Sequence, residues 1–275
     1  MASNAPGECC IKGVLHEGTP KGEVVQITEV ETYITRPASG SSEKVILLLT
    51  DVMGLCTNPK LIADDFAANG YTVLVPDIFA GDNVPLPADR KPGFQLPEWL
   101  KNHQPHHVVP IIQKVMDHIR SDLKPRKIGA VGYCFGAKYV TQLLSGQIDA
   151  GYNAHPSFVT LDELCAIKAP LAISAAGIAP PPPLQQPSLE QRQKVNTESI
   201  ETDSIFTPEL RHATEAKLAE IKATYQITLF SGVEHGFAVR CNLANEKQRW
   251  AKEEAFWQAI RMQRMGLKVS ASEIE

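Results

Sequence analysis

Residues Lys127-Ile128-Gly129-Ala130-Val131-Gly132-Tyr133-Cys134-Phe135-Gly136-Ala137-Lys138 carry the clearest chemical signal in the chain. An apolar run leads into Gly-x-Cys-x-Gly, and helical character follows at once. This is the pattern of a nucleophile elbow with cysteine in the serine position. Such a turn is so tight that side chains two before and two after the nucleophile would collide with neighbouring backbone, which explains Gly132 and Gly136. It would lift the Cys134 sulfur above a sheet and set it near a helix N-terminus, where backbone N–H groups favour the thiolate. The competing reading makes Cys134 a small buried residue in an ordinary strand–helix turn.

A thiol nucleophile needs an imidazole to take its proton. Of eight histidines, His235 has the best setting. The strand-like stretch Ile227–Ser231 precedes Val233-Glu234-His235-Gly236-Phe237, and chain order in this kind of site places the base last. His103, His106 and His107 cluster in a polar stretch and read as solvated or rim residues; His155 reads as shaping the loop after its strand, with a place near the cavity as the alternative. An acid must fix the imidazole, and by chain order it lies between Cys134 and His235. Asp149, Asp162, Glu190, Glu198, Glu201, Asp203, Glu209, Glu215, Glu220 and Glu234 all qualify. Acyl transfer also needs two N–H donors for the developing oxyanion. Phe135, directly after the nucleophile, supplies one, and Val52, in the loop after the strand ending at Thr50, supplies the other.

The elements that must position these groups alternate. Val24–Thr35 is β-rich and ends at Arg36-Pro37, with a turn at Ser39–Ser42, so the chain reads as opening on a hairpin. Lys44–Thr50, Tyr71–Pro76, Lys127–Gly132, Ala150–Asn153, Leu171–Ala175 and Tyr225–Ser231 read as strands. Helical spacing covers Asn58–Asn69, Val108–Arg120, Ala137–Leu144, Leu210–Thr224 and Ala244–Met265, and residues 81–107 form a long excursion with one short helix. Strand–helix alternation from residue 44 predicts an α/β fold with a mainly parallel sheet, helices on both faces, and ligand chemistry at the strands' carboxyl ends. The chain reads as one domain, residues 1–275, with a proline-rich insertion at about 178–202 that contains Pro180-Pro181-Pro182-Pro183.

With 275 residues, 43% of them hydrophobic and 21% charged, the chain can bury a substantial core, which argues against a disordered regulator. A net charge of −4 gives no footprint for nucleic acid or an anionic membrane. The longest strand-like apolar run, Val45–Leu49, is far shorter than a span. The N-terminal stretch lacks a basic, apolar leader and Glu273-Ile274-Glu275 is no organelle address, so a cytoplasmic location is expected. The six cysteines include no C-x-x-C metal spacing, and no metal or cofactor is implied. A homodimer is compatible with all of this.

Five blocks in order are similar to the dienelactone hydrolase family of the α/β-hydrolase fold, in its fungal-type branch: Thr50-Asp51-Val52-Met53-Gly54, Val75-Pro76-Asp77-Ile78-Phe79, Gly132-Tyr133-Cys134-Phe135-Gly136, His155-Pro156-Ser157 and Glu234-His235-Gly236-Phe237. The opening Cys9-Cys10 and His16-Glu17-Gly18-Thr19-Pro20 fit the same branch, and the resemblance spans roughly residues 9–262. It implies hydrolysis of a small-molecule ester or lactone through a thioester on Cys134, with His235 as base. It selects Asp203 as the acid, because Asp203-Ser204-Ile205-Phe206-Thr207-Pro208-Glu209 matches a family block about thirty residues before the histidine. It gives Asp51 a role in activating the resting thiol, and it points to Arg240, with Tyr133, for substrate binding; Arg90 is a weaker candidate. A lactam, a thioester or a polyketide-derived intermediate would suit the same machinery, and a non-catalytic binding protein would keep the elbow as architecture.

Overall fold

The computed structural model describes residues 1–177 and 203–268, so the expected insertion at 178–202 lies outside the described residues. Eight strands form one sheet: β1 (Glu23–Ile27), β2 (Val30–Thr35), β3 (Lys44–Leu49), β4 (Thr72–Pro76), β5 (Lys127–Tyr133), β6 (Ala150–Ala154), β7 (Leu171–Gly177) and β8 (Tyr225–Ser231). Their spatial order is β1-β2-β4-β3-β5-β6-β7-β8. β2 is antiparallel to both β1 and β4, and every pairing from β4 to β8 is parallel. The chain is an α/β-hydrolase-like single domain.

The apolar run of β3 shows why this sheet is covered on both sides. Val45, Leu47 and Leu49 pack in one core, with Val108, Ile112 and Met116 of α3 (Pro105–His118) and Val140 and Leu143 of α4 (Gly136–Leu143). Ile46 and Leu48 face the other core, with Ile62 and Phe66 of α1 (Thr57–Ala68) and Ala255 and Ala259 of α8 (Glu246–Gly266). Alternating side chains sent into two cores require an apolar residue at every position, because the strand has no wet face. The other α-helices among the described residues are α2 (Leu96–Lys101), α5 (Leu161–Cys165), α6 (Pro208–Glu220) and α7 (Phe237–Arg240). None among the described residues is long and apolar enough to cross a membrane.

Two local readings are corrected. The opening β-rich run is itself a hairpin: Ile27 pairs with Val30, so the loop is the pair Thr28-Glu29. Both residues have positive φ, at 47° and 67°, and neither is the Gly, Asn or Asp that marks such a turn. The turn at Ser39–Ser42 instead carries the chain from β2, which pairs with β4, to β3. Helix α5 was not anticipated, although Thr160 and Glu163 form a reciprocal capping box at its start.

From β3 the chain passes through α1 to β4 on one side, and β5 then returns on the other side of β3. This reversal of strand order is where open parallel sheets leave a crevice beyond their carboxyl ends. The register Leu49↔Gly132 and Gly132↔Asn153 brings the loops after β3, β5 and β6 to that one place.

Candidate active site

Cys134 sits on the turn from β5 into α4 with φ 50°, an unusual conformation for a side chain with a β-carbon. Its N–H donates to the Ala154 carbonyl at 3.1 Å, and its own carbonyl accepts from Ala137 and Ser157. The flanking glycines are steric necessities. A β-carbon on Gly132 would lie 2.7 Å from the Ala137 α-carbon, and one on Gly136 would overlap the Leu49 carbonyl. In both cases the obstacle is backbone, which cannot swing aside. Gly136→Ala is therefore expected to lower unfolding free energy by about 3 kcal/mol or more, at the upper end of overpacking costs, measured by urea denaturation. An unchanged urea midpoint would contradict this account of the turn.

His235 lies in the loop between β8 and α7 and is held from one side. Its Nδ1 is 3.0 Å from each carboxylate oxygen of Asp203. Asp203 is itself fixed by N–H donors from Ile205 and Phe206, at 2.9 and 3.1 Å. Both side chains are almost wholly buried, at 1% and 0% exposure. Burial alone would raise the Asp203 pKa, but the His235 charge and these hydrogen bonds outweigh it and hold the carboxyl below its usual range. With Nδ1 engaged, Nε2 is the free nitrogen, buried and without a hydrogen-bond partner among the described residues.

A ring nitrogen of His235 and the sulfurs of Cys134 and Cys10 lie within 4.8 Å of one another. Among the described residues this is the one group of His, Cys and carboxylate side chains close enough to hold a metal ion. Burial pushes the Cys134 thiol up, yet the hydrogen bond with Cys10, the His235 charge and the His155 and His235 rings pull it well below the ordinary thiol value. His235 is driven well above its usual value: burial opposes the proton, and Asp203 and Cys134 together prevail. Both shifts run in the direction of a thiolate facing an imidazolium.

Three neighbours of the sulfur were marked in the sequence only as parts of family blocks, with no role beside the nucleophile assigned to them. Cys10 arrives on a short 3-10 turn, Glu8–Ile11, and its sulfur lies 3.4 Å from that of Cys134. The thiol of Cys10 is pushed well up, first by that contact, which favours its protonated form. Ser157 Oγ lies 3.7 Å from the Cys134 sulfur. His155, expected to shape a loop, is fully buried with φ 39° and stacks obliquely on His235, ring centres 4.9 Å apart. Burial pushes it down to about 4, so it is neutral at pH 7. No local pattern announces these contacts; His155 and Ser157 share one family block and Cys10 lies in the Cys9-Cys10 segment.

The remaining candidates fall as follows. Val52 and Phe135 are buried, at 0% and 1% exposure, on the adjoining loops after β3 and β5, which are tied by a 3.0 Å bond from Gly136 N–H to the Thr50 carbonyl. Asp51 accepts from Met53 N–H at 2.9 Å and forms an ion pair with Arg240. Arg240 is buried, not solvated: its Nε donates to the Lys12 carbonyl at 2.8 Å and its Nη2 has no partner among the described residues. A cavity of about 130 Å³ adjoins His235 and Arg240, with Lys12, Gly13 and Phe237 in its wall. Tyr133 is not in that wall; it packs in the second core, its ring 6.3 Å from those of Tyr152 and His155. Arg90 holds the Ile11 and Pro85 carbonyls. His103 is buried, stacked 3.9 Å from Trp99, while His106 and His107 are exposed on α3.

A cysteine on a strand–helix elbow, with an Asp-held histidine in the loop after the last strand, is the arrangement of an α/β-hydrolase fold. A model of the dienelactone hydrolase family matches residues 30–263, and the chain belongs to that family of ester- and lactone-cleaving hydrolases. It is 43% identical to the hydrolase pyvD of Aspergillus violaceofuscus over 262 residues, covering 94% of this chain and 96% of the relative. It is 33% identical over 264 residues to dienlactone hydrolase 1 of Gibberella moniliformis, covering 90% and 89%. The solved dienelactone hydrolase of Anabaena variabilis shares the fold, with TM-score 0.57 at 12% identity, over 92% of this chain and all of that one.

Proposed function

We propose that the protein hydrolyses a small-molecule ester or lactone through a covalent thioester on Cys134. The Cys134 sulfur attacks the acyl carbon, and the Phe135 and Val52 N–H groups receive the oxyanion. His235, already protonated, gives its Nε2 proton to the leaving alkoxide. The neutral imidazole then takes a proton from water, which attacks the thioester and releases the acid. Asp203 keeps the imidazole in the tautomer and orientation this needs. The observation that carries this reading is the approach of a His235 nitrogen to within 4.8 Å of the Cys134 sulfur while Nδ1 is held at 3.0 Å by Asp203.

The substrate side of the proposal is an ester or lactone bearing a carboxylate. A buried guanidinium whose Nη2 has no partner among the described residues, on the wall of the cavity beside His235, favours an anionic group there. The name of one relative, dienlactone hydrolase 1, agrees with the lactone part of that reading.

The test is acyl trapping. After rapid acid quench during turnover of p-nitrophenyl acetate, peptide mass mapping should find the acetyl group on Cys134 alone. Cys134→Ala should abolish turnover. An acyl group on another residue, or hydrolysis persisting in Cys134→Ala, would overturn the proposal.

A further inference from the structure

Cys10 has no step in the reaction above, yet it is fully buried against the nucleophile. Its sulfur accepts from Gly7 N–H at 3.4 Å and sits at the same distance from the Cys134 sulfur. The other described cysteine sulfurs are placed differently. Cys9, its neighbour in sequence, turns toward Ser204, 4.0 Å away, and Cys165 is exposed. Cys56 caps α1 and Cys241 follows α7.

We propose that Cys10 and Cys134 form a hydroperoxide-reactive dithiol, a modification site in which Cys134 is oxidised and Cys10 resolves it as a disulfide. The inference rests on Cys134 being a thiolate beside a protonated His235, as in the proposed hydrolysis. The thiolate sulfur attacks one oxygen of a hydroperoxide and the O–O bond breaks. The departing alkoxide takes the His235 proton and leaves as an alcohol, or as water where the oxidant is hydrogen peroxide. Cys134 is then a sulfenic acid, oxidised by two electrons, and the peroxide is reduced by two. The Cys10 sulfur next attacks the Cys134 sulfur. The S–O bond breaks, the hydroxide takes the Cys10 proton and leaves as water, and the S–S bond forms.

Geometry favours this outcome over further oxidation. An S–S bond of about 2.05 Å must form from a 3.4 Å contact, so the sulfurs close by a little over an ångström. Cys10 lies on a four-residue turn outside the sheet, between Gly7 and Gly13, and Gly13 has φ 126°. That segment can shift without breaking a strand pairing. With the disulfide in place Cys134 has no nucleophilic lone sulfur, and hydrolysis stops until a dithiol reductant restores both thiols.

The experiment treats the full chain with hydrogen peroxide in the presence of a metal chelator, blocks free thiols, and maps peptides without reduction. A Cys10–Cys134 cross-link is expected in the wild type and in Cys9→Ser, and none in Cys10→Ser. After excess peroxide and then dithiothreitol, wild type should recover most of its own untreated activity. Cys10→Ser should recover about tenfold less, because its Cys134 proceeds to sulfinic acid. A wild-type map with Cys134 as sulfinic acid, or cross-linked to any cysteine other than Cys10, overturns the inference. The map reads no activity, so the two proposals fail separately. Absence of the cross-link together with an inert Cys134→Ala retires this one alone. A cross-link together with turnover surviving in Cys134→Ala retires the thioester mechanism alone.

Discussion

Replacing His235 with glutamine is expected to lower kcat/KM for an activated ester by about 10⁴-fold or more, the scale on which removal of a base from an interdependent triad is felt. Glutamine can still accept the buried volume, but it holds no proton for the leaving group and no positive charge for the sulfur. The effect should appear independently in the thiol. In the wild type the Cys134 pKa is depressed, so the thiolate is lost only as pH falls through that depressed value. Iodoacetamide labelling of Cys134 should therefore run at a plateau from alkaline to mildly acidic pH and outpace the other five cysteines. In His235→Gln the His235 charge is gone while burial and the Cys10 hydrogen bond remain, so labelling should rise at higher pH than in the wild type, toward the ordinary thiol range, about 8.5. A wild-type labelling curve that already rises through that range would show that no thiolate–imidazolium pair exists at rest.

The contrast between those cysteines also shows which parts of the site were legible in the sequence. Gly132, Cys134 and Gly136 could be read because the constraint is local: the turn brings backbone of Ala137 and Leu49 onto the glycine positions, and no distant residue can relieve it. His235 could be read because chain order and a preceding strand fix where a base must stand. Asp203 was singled out by a family block, since eleven carboxylates, Glu163 among them, satisfy chain order equally; in the fold it lies 3.0 Å from His235 Nδ1. What stayed hidden depends on contacts between remote segments. Cys10 meets Cys134 across 124 positions, and Asp51 meets Arg240 across 189. The N-terminal residues look like a polar tail, yet Ser3 and Cys10 are fully buried. They are tied down by bonds of Ala2 and Ser3 N–H to the Val159 carbonyl and of Asn4 N–H to the Ile205 carbonyl. A strap of this kind has no periodicity of its own; it takes its order from loops that the sheet has already assembled. The Thr28-Glu29 turn was missed for the opposite reason, because strand pairing there imposes positive φ on residues that disfavour it.

Arg240 joins that strap to the catalytic loops, and its substitution should carry the second large effect. Arg240→Met is expected to lower unfolding free energy by about 3–5 kcal/mol, read from urea denaturation, because it leaves the Asp51 carboxylate buried without its counter-charge. Burial already pushes the Asp51 pKa up, with Arg240 the main force opposing it, so removing the guanidinium leaves burial and the Cys134 charge opposed only by the Met53 N–H bond and the His235 charge. Asp51→Asn alone should also destabilise, by stranding a buried guanidinium. The double variant, Arg240→Met with Asp51→Asn, should cost clearly less than the two singles combined, since neither charge then remains. Strict additivity would mean the pair is not coupled. Loss of the bond from Arg240 Nε to the Lys12 carbonyl should in addition free the segment that carries Cys10, so hydrogen exchange of residues 10–14 should quicken in Arg240→Met. The kinetic signature separates positioning from recognition. If the unpartnered Nη2 receives a substrate carboxylate, Arg240→Met should raise KM for an anionic lactone well beyond its effect on a neutral acetate ester. Equal changes for both substrates would leave Arg240 with the strap and Asp51 alone, and would remove the argument for an acidic substrate.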